Sequence, residues 1–288
     1  MHVILTDARR GHAGLFWFAV VMAGFSVILV LAAIVDDRTL LGAPLWYKPL
    51  KFAMSFVLYS AALAWMLGQL REPALRRTGW LIVAASVIEM VVIAGQAARG
   101  VRSHFNDDSP GDELLFSIMG ATIVVLWLAT LAIALRFLRE PGRTRSAGLA
   151  IRFGLAVSLL GMLVGFVMTT VNAHSIGVPD GGPGLFLIGW STTGGDLRIA
   201  HFVGMHALQL LPLLAAGLAV TRLDEIARTR VVIVVTAGYT ALVALLVWQA
   251  LRAQPLLSPD STTLAALVMV ALGTAGGLVA AARRRVTV

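Results

Sequence analysis

The sequence predicts an all-α integral membrane protein, a polytopic bundle of about eight transmembrane helices. Of its 288 residues, 58% are apolar and only 13% are charged, and the mean hydropathy is +0.86. A soluble domain is about 45–50% apolar and roughly 25% charged, so a soluble globule of this composition would expose too much apolar surface. Disorder is excluded because it requires low hydrophobicity. The chain has no cysteine, which excludes disulfides, thiolate metal sites and thiol nucleophiles.

Eight apolar segments are long enough, at about 20 residues each, to cross a bilayer. Backbone polar groups in lipid must be satisfied within the segment, so each segment is predicted to be a helix. In chain order, predicted helices 1 to 8 cover about 14–34, 47–69, 79–98, 114–137, 149–171, 198–220, 231–252 and 263–282. No connection is long enough for a soluble domain, so residues 1–288 are predicted to form a single transmembrane domain. The pattern also allows a 4+4 arrangement of the helices.

The cations are distributed unevenly between alternate loops. Of the 23 lysines and arginines, 16 lie on the side of the two chain ends and 7 on the other side. Because cytoplasmic loops carry an excess of Lys and Arg, both termini are predicted to be cytoplasmic, in the cytoplasmic (inner or plasma) membrane. The net charge of +8 therefore indicates topology, and no nucleic-acid partner is predicted.

Two longer connections lie on the predicted outer side. Residues 172–197 carry an apolar patch, 184–190, that is too short to span. This patch is predicted to be a re-entrant or interfacial lid, or a passive loop with Trp190 as an interface anchor. The polar turn within residues 99–113 is predicted to N-cap the fourth helix through Asp112 rather than to bind a divalent cation.

Ionisable residues within a membrane are costly and are candidates for function. Glu89 is the acid that lies in the middle of a predicted span, about 13 Å below the outer end of helix 3. Gln96, seven residues on, shares its face, and Arg99 lies one turn further out. The alternative is that Glu89 is a protonated, hydrogen-bonded packing residue.

Predicted helix 6 contributes a second set of polar residues, Arg198, His201, His206 and Gln209. His206 is expected about 12 Å below the outer end of this helix, next to Gln209 at the i, i+3 spacing. In a regular helix His201 and His206 point in different directions, so they cannot share one metal ion. His206 could equally serve as a neutral hydrogen-bonding residue between helices.

Predicted helix 2 adds both lysines of the chain, Lys48 and Lys51, with Ser55 one turn deeper. Equal depths of Glu89 and His206 predict one outward-facing polar pocket. Glu89 and His206 are its candidate catalytic residues; its candidate ligand-binding residues are Lys48, Lys51, Ser55, Gln96, Arg99, Arg198, His201 and Gln209. The cations near the surface could instead extend to the lipid headgroups.

Three functions fit this pattern, and whether the chain is an enzyme stays open. The first is binding of a small anionic molecule, lipid headgroup or cofactor, with acid/base chemistry at Glu89 and His206. The second is proton-coupled transport of a small solute. The third is a membrane scaffold or assembly partner with a structural polar cluster.

No metal site is predicted. A single haem, held by one helix-6 histidine with His104, His174 or a methionine such as Met54, stays open as a cofactor. The spacings Gly161-xxx-Gly165 and Gly273-xxx-Gly277 allow close helix contact, either inside the bundle or between copies of the chain. The predicted partners are therefore the lipid bilayer, a small-molecule or lipid ligand, and a second copy.

Overall fold

The computed structural model describes residues 8–70, 73–140 and 142–282, and these residues are predominantly helical. The helices are α1 (Ala13–Val35), α2 (Tyr47–Leu67), α3 (Pro73–Ala98), α4 (Pro110–Phe137), α5 (Arg145–Thr170), α6 (Leu197–Met205), α7 (Ala207–Ala219), α8 (Glu225–Leu251) and α9 (Ser261–Ala282). Two short antiparallel hairpins pair β1 (Thr39–Leu40) with β2 (Ala43–Pro44) and β3 (Ser175–Ile176) with β4 (Gly195–Asp196).

Seven of these helices are long and apolar enough to cross a membrane, and α6 with α7 makes an eighth span if the bent pair counts as one. The prediction of an all-α chain with about eight spans is confirmed at this level. The sides of the termini and the 4+4 arrangement stay predictions.

Several helices begin one to two turns before their predicted starts, because a hydropathy window detects only the apolar part of a helix. Side-chain caps show where the polar first turns begin. The Thr144 side chain accepts a hydrogen bond from the Ala147 amide at the start of α5, and the Asp224 side chain accepts one from the Ala227 amide at the start of α8.

At α4 the prediction named the wrong N-cap residue. Ser109 Oγ accepts the Asp112 amide (3.2 Å) and donates to Asp112 Oδ2 (2.7 Å), so Asp112 is the third residue of the helix.

The chain divides into two compact units. Unit 1 comprises residues 1–133 and 181–189, and unit 2 comprises 134–180 and 190–288. In unit 1, the chain just before α1 packs closely on the end of α2, since a Cβ atom at Gly11 would lie 2.6 Å from the nitrogen of Gly68, the residue that follows α2. Its core also joins α3 and α4 through the buried side chains Phe18, Met22, Phe56, Met90, Ile93 and Met119.

A polar network holds the connection between α1 and α2. Arg38 donates to both carboxylate oxygens of Asp36, at 2.9 and 2.7 Å, and Trp46 Nε1 donates to Asp36 Oδ2 at 2.8 Å. Arg38 also donates to the carbonyl of Ala98 at the end of α3 (3.2 Å). The hydrogen bonds from Arg38 and Trp46 hold the pKa of Asp36 well below its usual range.

We expect Asp36→Asn to lower the thermal unfolding midpoint of the detergent-solubilised protein at pH 7. A carboxyl group whose folded-state pKa is lowered stabilises the fold above its unfolded pKa, about 3.9, and loses that contribution as the pH falls towards the folded value. The difference from wild type should therefore be constant from pH 7 to 5 and shrink below pH 4. Asp37→Asn, at the exposed neighbour, is the control; an equal effect there would contradict the assignment.

In unit 2, α5 lies in backbone contact with α6. A Cβ atom at Gly161 would lie 2.5 Å from the Gly204 carbonyl carbon and from the Met205 nitrogen. Gly165, one turn further along α5, faces the His201 ring. The first small-residue motif therefore serves packing inside the chain. In the second motif Gly277 lies against Val234 of α8, while a Cβ atom at Gly273 would meet open space, so association of copies through α9 stays a prediction.

The span predicted as one regular helix over 198–220 is broken at His206, where α6 and α7 meet at 41°. In an unbroken helix the Val203 carbonyl would accept a hydrogen bond from the Ala207 amide. Here the Val203 carbonyl accepts a hydrogen bond from the Tyr239 hydroxyl of α8. Pro212 lies inside α7, where it removes a further helix hydrogen bond. The prediction of one regular helix over 198–220 is therefore wrong, and the depth of His206 stays a prediction.

Candidate functional site

The Glu89 side chain on α3 is fully buried in unit 1. Its Oε1 lies 2.5 Å from Thr122 Oγ1 of α4. Its Oε2 is buried and has no hydrogen-bond partner among the residues that the structure describes. Native proteins hydrogen-bond nearly all buried polar atoms, so this oxygen is an exception that requires an explanation.

Thr122 suits either protonation state of Glu89. Its hydroxyl also lies 2.9 Å from the Met119 carbonyl of its own helix, and a hydroxyl carries one hydrogen and two acceptor lone pairs. Thr122 can therefore donate to a Glu89 carboxylate. Alternatively it can donate to Met119 while it accepts from a protonated Glu89. The contact is retained when Glu89 gains or loses a proton.

Three predicted site residues follow one face of α2 in unit 1. The charge of Lys48, in the first turn, acts on the Glu89 carboxyl group. Lys51 Nζ donates to the Ile188 carbonyl at 2.9 Å, so it holds the 181–189 segment against this helix. Ser55 is half-buried one turn further along. The structure therefore brings Lys48 into electrostatic range of Glu89 and connects Lys51 to a loop.

Two polar residues of unit 1 were missed by sequence reasoning. Thr122 contacts Glu89, and the Tyr59 hydroxyl lies 2.5 Å from Thr130 Oγ1. Threonine and tyrosine are inexpensive within a membrane, so neither stood out as Glu89 did. A signal was present in the spacing, because Tyr59 continues the Lys48–Lys51–Ser55 face of α2.

Gln96 and Arg99 meet a partner that the sequence did not assign to them. The Gln96 amide donates to Asp112 Oδ1 at 2.8 Å, and Arg99 donates to the same oxygen at 2.8 Å. Arg99 also donates to Gln96 Oε1 at 2.5 Å. These contacts join the end of α3 to the start of α4, and a role in ligand binding stays a prediction for both residues.

In unit 2, Arg198 forms a two-bond ion pair with the buried Asp196, at 2.9 and 2.6 Å. Asp196 also caps α6 by accepting the Arg198 amide. His201 Nδ1 donates to the Gly161 carbonyl at 2.8 Å. These bonds fix the start of α6 and its contact with α5.

His206 lies at the break between α6 and α7, and its ring is half-buried. Its Nδ1 lies 3.4 Å from Gln209 Oε1, so the predicted contact at the i, i+3 spacing is present as a long hydrogen bond. Glu89 belongs to unit 1 and His206 to unit 2. Their common pocket stays a prediction.

Each arginine that the sequence assigned to the outer side has an acidic partner. The pairs, at 2.6–2.9 Å, are Arg38–Asp36, Arg99–Asp112, Arg102–Asp108, Arg198–Asp196 and Arg252–Asp260. Arg252 holds the pKa of Asp260 below its usual range, as Arg38 does for Asp36. These pairs therefore cancel most of the arginine charge on the predicted outer side.

Candidate haem ligands also have protein contacts. His174 Nδ1 lies 3.1 Å from Asp180 Oδ1, and the His104 ring packs against Phe52 and Phe116. The Met54 side chain is exposed. Within residues 8–70, 73–140 and 142–282, no three His, Asp or Glu side chains are grouped as metal ligands.

No protein-family model, curated protein or solved structure matches the chain.

Proposed function

We propose that the chain is a multi-pass protein of the cytoplasmic membrane, with both termini cytoplasmic, that binds a small anionic molecule from the outer side. Glu89 exchanges a proton with that molecule. The observation that carries the proposal is the buried Glu89 carboxyl group, whose Oε2 has no partner among the described residues.

The energetic argument concerns the unpartnered oxygen. Leaving a buried polar group unsatisfied costs about 1–3 kcal/mol, and an apolar side chain of similar shape would avoid this cost. Proteins tolerate such local exceptions at functional sites, and a ligand at Glu89 would supply the missing contact. Thr122 is compatible with both protonation states of Glu89, as proton exchange requires.

The charge of Lys48 supports an anionic ligand. Lys48 acts on Glu89 through its charge, so an anion bound near both residues would receive a favourable charge from the ammonium group. A protonated Glu89 would offer its Oε2–H to an anionic oxygen. A cation would gain from Glu89 but be repelled by Lys48.

One observation favours a second function, proton-coupled transport of a small solute. Transporters form their sites with discontinuous membrane helices, and the span that contains His206 is broken at that residue. In this case His206 and the break take part in transport, and Glu89 carries the proton.

Binding can be tested on purified protein with Glu89→Gln, which keeps the shape of the side chain but cannot exchange a proton. Acetate, phosphate and lactate serve as probes, and binding is measured as a rise in the unfolding midpoint. We expect at least one probe to stabilise the wild type and Glu89→Gln to lose about tenfold or more in affinity, which corresponds to about 1.4 kcal/mol. Glu113→Gln, at an exposed acid in α4, is the control.

Equal affinities of wild type and Glu89→Gln would contradict the role of Glu89. Transport is tested in liposomes that enclose a pH-sensitive dye. Uptake of protons that depends on an added probe, and is lost in both Glu89→Gln and His206→Ala, would favour transport over binding alone.

A further inference from the structure

The loop at residues 181–189 presents an exposed apolar tip on unit 1. Phe186 is 85% exposed and Leu187 is 55% exposed. A third apolar side chain, Leu41, lies beside this loop, because the turn of the β1–β2 hairpin packs against Gly181, the first residue of the loop. A Cβ atom at Gly181 would lie 3.1 Å from the Leu41 Cβ, and Leu41 is itself 48% exposed.

At the tip of the loop, two backbone amides donate hydrogen bonds to carbonyl groups of the loop itself. The amide of Ile188 donates to the Phe186 carbonyl (2.8 Å), and the amide of Gly189 donates to the Leu185 carbonyl (2.7 Å). Gly184 and Gly189 lie close together at the base, so the residues between them form a compact turn. A segment enters the apolar part of a membrane only when its backbone groups have partners, and this turn fulfils that condition at these two amides.

The position of the loop places it at the end of the membrane spans. Lys51, in the second turn of α2, donates to the Ile188 carbonyl, and the β1–β2 hairpin lies between the end of α1 and the start of α2. The last residue of α1, Val35, is 85% exposed. The loop therefore lies at the end of unit 1 where the hairpin connects α1 to α2.

We infer that the tip of the 181–189 loop, with Phe186 foremost, inserts into the lipid surface of the membrane that the helices cross. Lys51 would then hold the loop through its hydrogen bond to Ile188, while its ammonium group stays at the level of the lipid headgroups. A second copy of the chain is a weaker candidate for covering this tip. Three exposed side chains are few beside the roughly 20–30 residues a side of a standard protein interface. The inference is independent of any ligand at Glu89.

The absence of cysteine makes a direct test practical. Phe186→Cys places the only thiol of the chain at the tip, and its exposure in the fold makes the substitution compatible with folding. The full chain is spin-labelled and reconstituted into liposomes of phosphatidylcholine and phosphatidylglycerol. Collisions of the label with oxygen, which dissolves in lipid, are compared with collisions with a water-soluble nickel chelate. Asp107→Cys, in an exposed polar loop of unit 1, and Val35→Cys are the references for water and lipid.

We expect the label at position 186 to lose the nickel collisions seen at position 107 and to resemble the label at position 35. Leu187→Cys should give the same result and serves if Phe186→Cys is not recovered as a folded protein. Nickel collisions as frequent as at position 107 would overturn the inference. Protection that disappears when the lipid-to-protein ratio is raised would also overturn it, since a second copy would then be the cover.

Discussion

Gly161→Ala should destabilise unit 2, although alanine is the better helix former. The added Cβ atom would lie 2.5 Å from the Gly204 carbonyl carbon and from the Met205 nitrogen. These are backbone atoms, so α5 and α6 would have to move apart. Such overpacking costs about 1–3 kcal/mol, whereas the gain in helix propensity is at most about 1 kcal/mol.

The loss of stability in Gly161→Ala is expected to exceed that of an ordinary packing change. Other contacts also depend on the close approach of α5 and α6. His201 donates to the Gly161 carbonyl at 2.8 Å, and the His201 ring packs on Gly165. Separation of α5 from α6 would weaken this hydrogen bond as well. Membrane helices rely on such close contacts because lipid supplies no hydrophobic force between them.

The measurement is the thermal unfolding midpoint and the monodisperse fraction of the purified protein in detergent. Gly217→Ala in α7 is the matched control, because a Cβ atom there meets open space. We expect Gly217→Ala to unfold at the wild-type temperature or higher and Gly161→Ala to unfold at a clearly lower temperature. Equal midpoints for the two variants would show that α5 and α6 are not in backbone contact.

The membrane spans were predictable because hydropathy is a local property of each segment. The helix starts were not, since caps such as Thr144 and Asp224 lie in polar sequence outside a hydropathy window. At the break at His206, a hydroxyl group from another helix, Tyr239, donates to the Val203 carbonyl. No pattern within residues 198–220 indicates that contact.

The candidate site was likewise predictable from the sequence only in part. The burial of Glu89 followed from its place in an apolar segment, and the structure agrees. The acidic partners of the arginines did not follow, because Asp36, Asp112 and Asp196 lie at helix ends where loop geometry decides which groups meet. The predicted cationic mouth consequently has less unbalanced charge than the sequence suggests.

Glu89→Met should leave the stability of the protein unchanged or raise it, while binding of the anionic probes is lost. Methionine has a similar length and flexibility and removes the buried oxygen that has no partner in the described residues, which is a cost of about 1–3 kcal/mol. The change creates no new unsatisfied group at Thr122, because its hydroxyl can still donate to the Met119 carbonyl at 2.9 Å.

The result separates a functional Glu89 from a structural one. If Glu89 served to hold the helices together, as in a scaffold, its loss would lower the unfolding midpoint, and Thr122→Val would lower it similarly. If Glu89 serves a ligand, Glu89→Met folds at least as well as wild type, since functional sites retain groups that reduce stability. A midpoint several degrees below wild type in both variants would favour the scaffold, and full probe binding by Glu89→Met would remove Glu89 from the binding site.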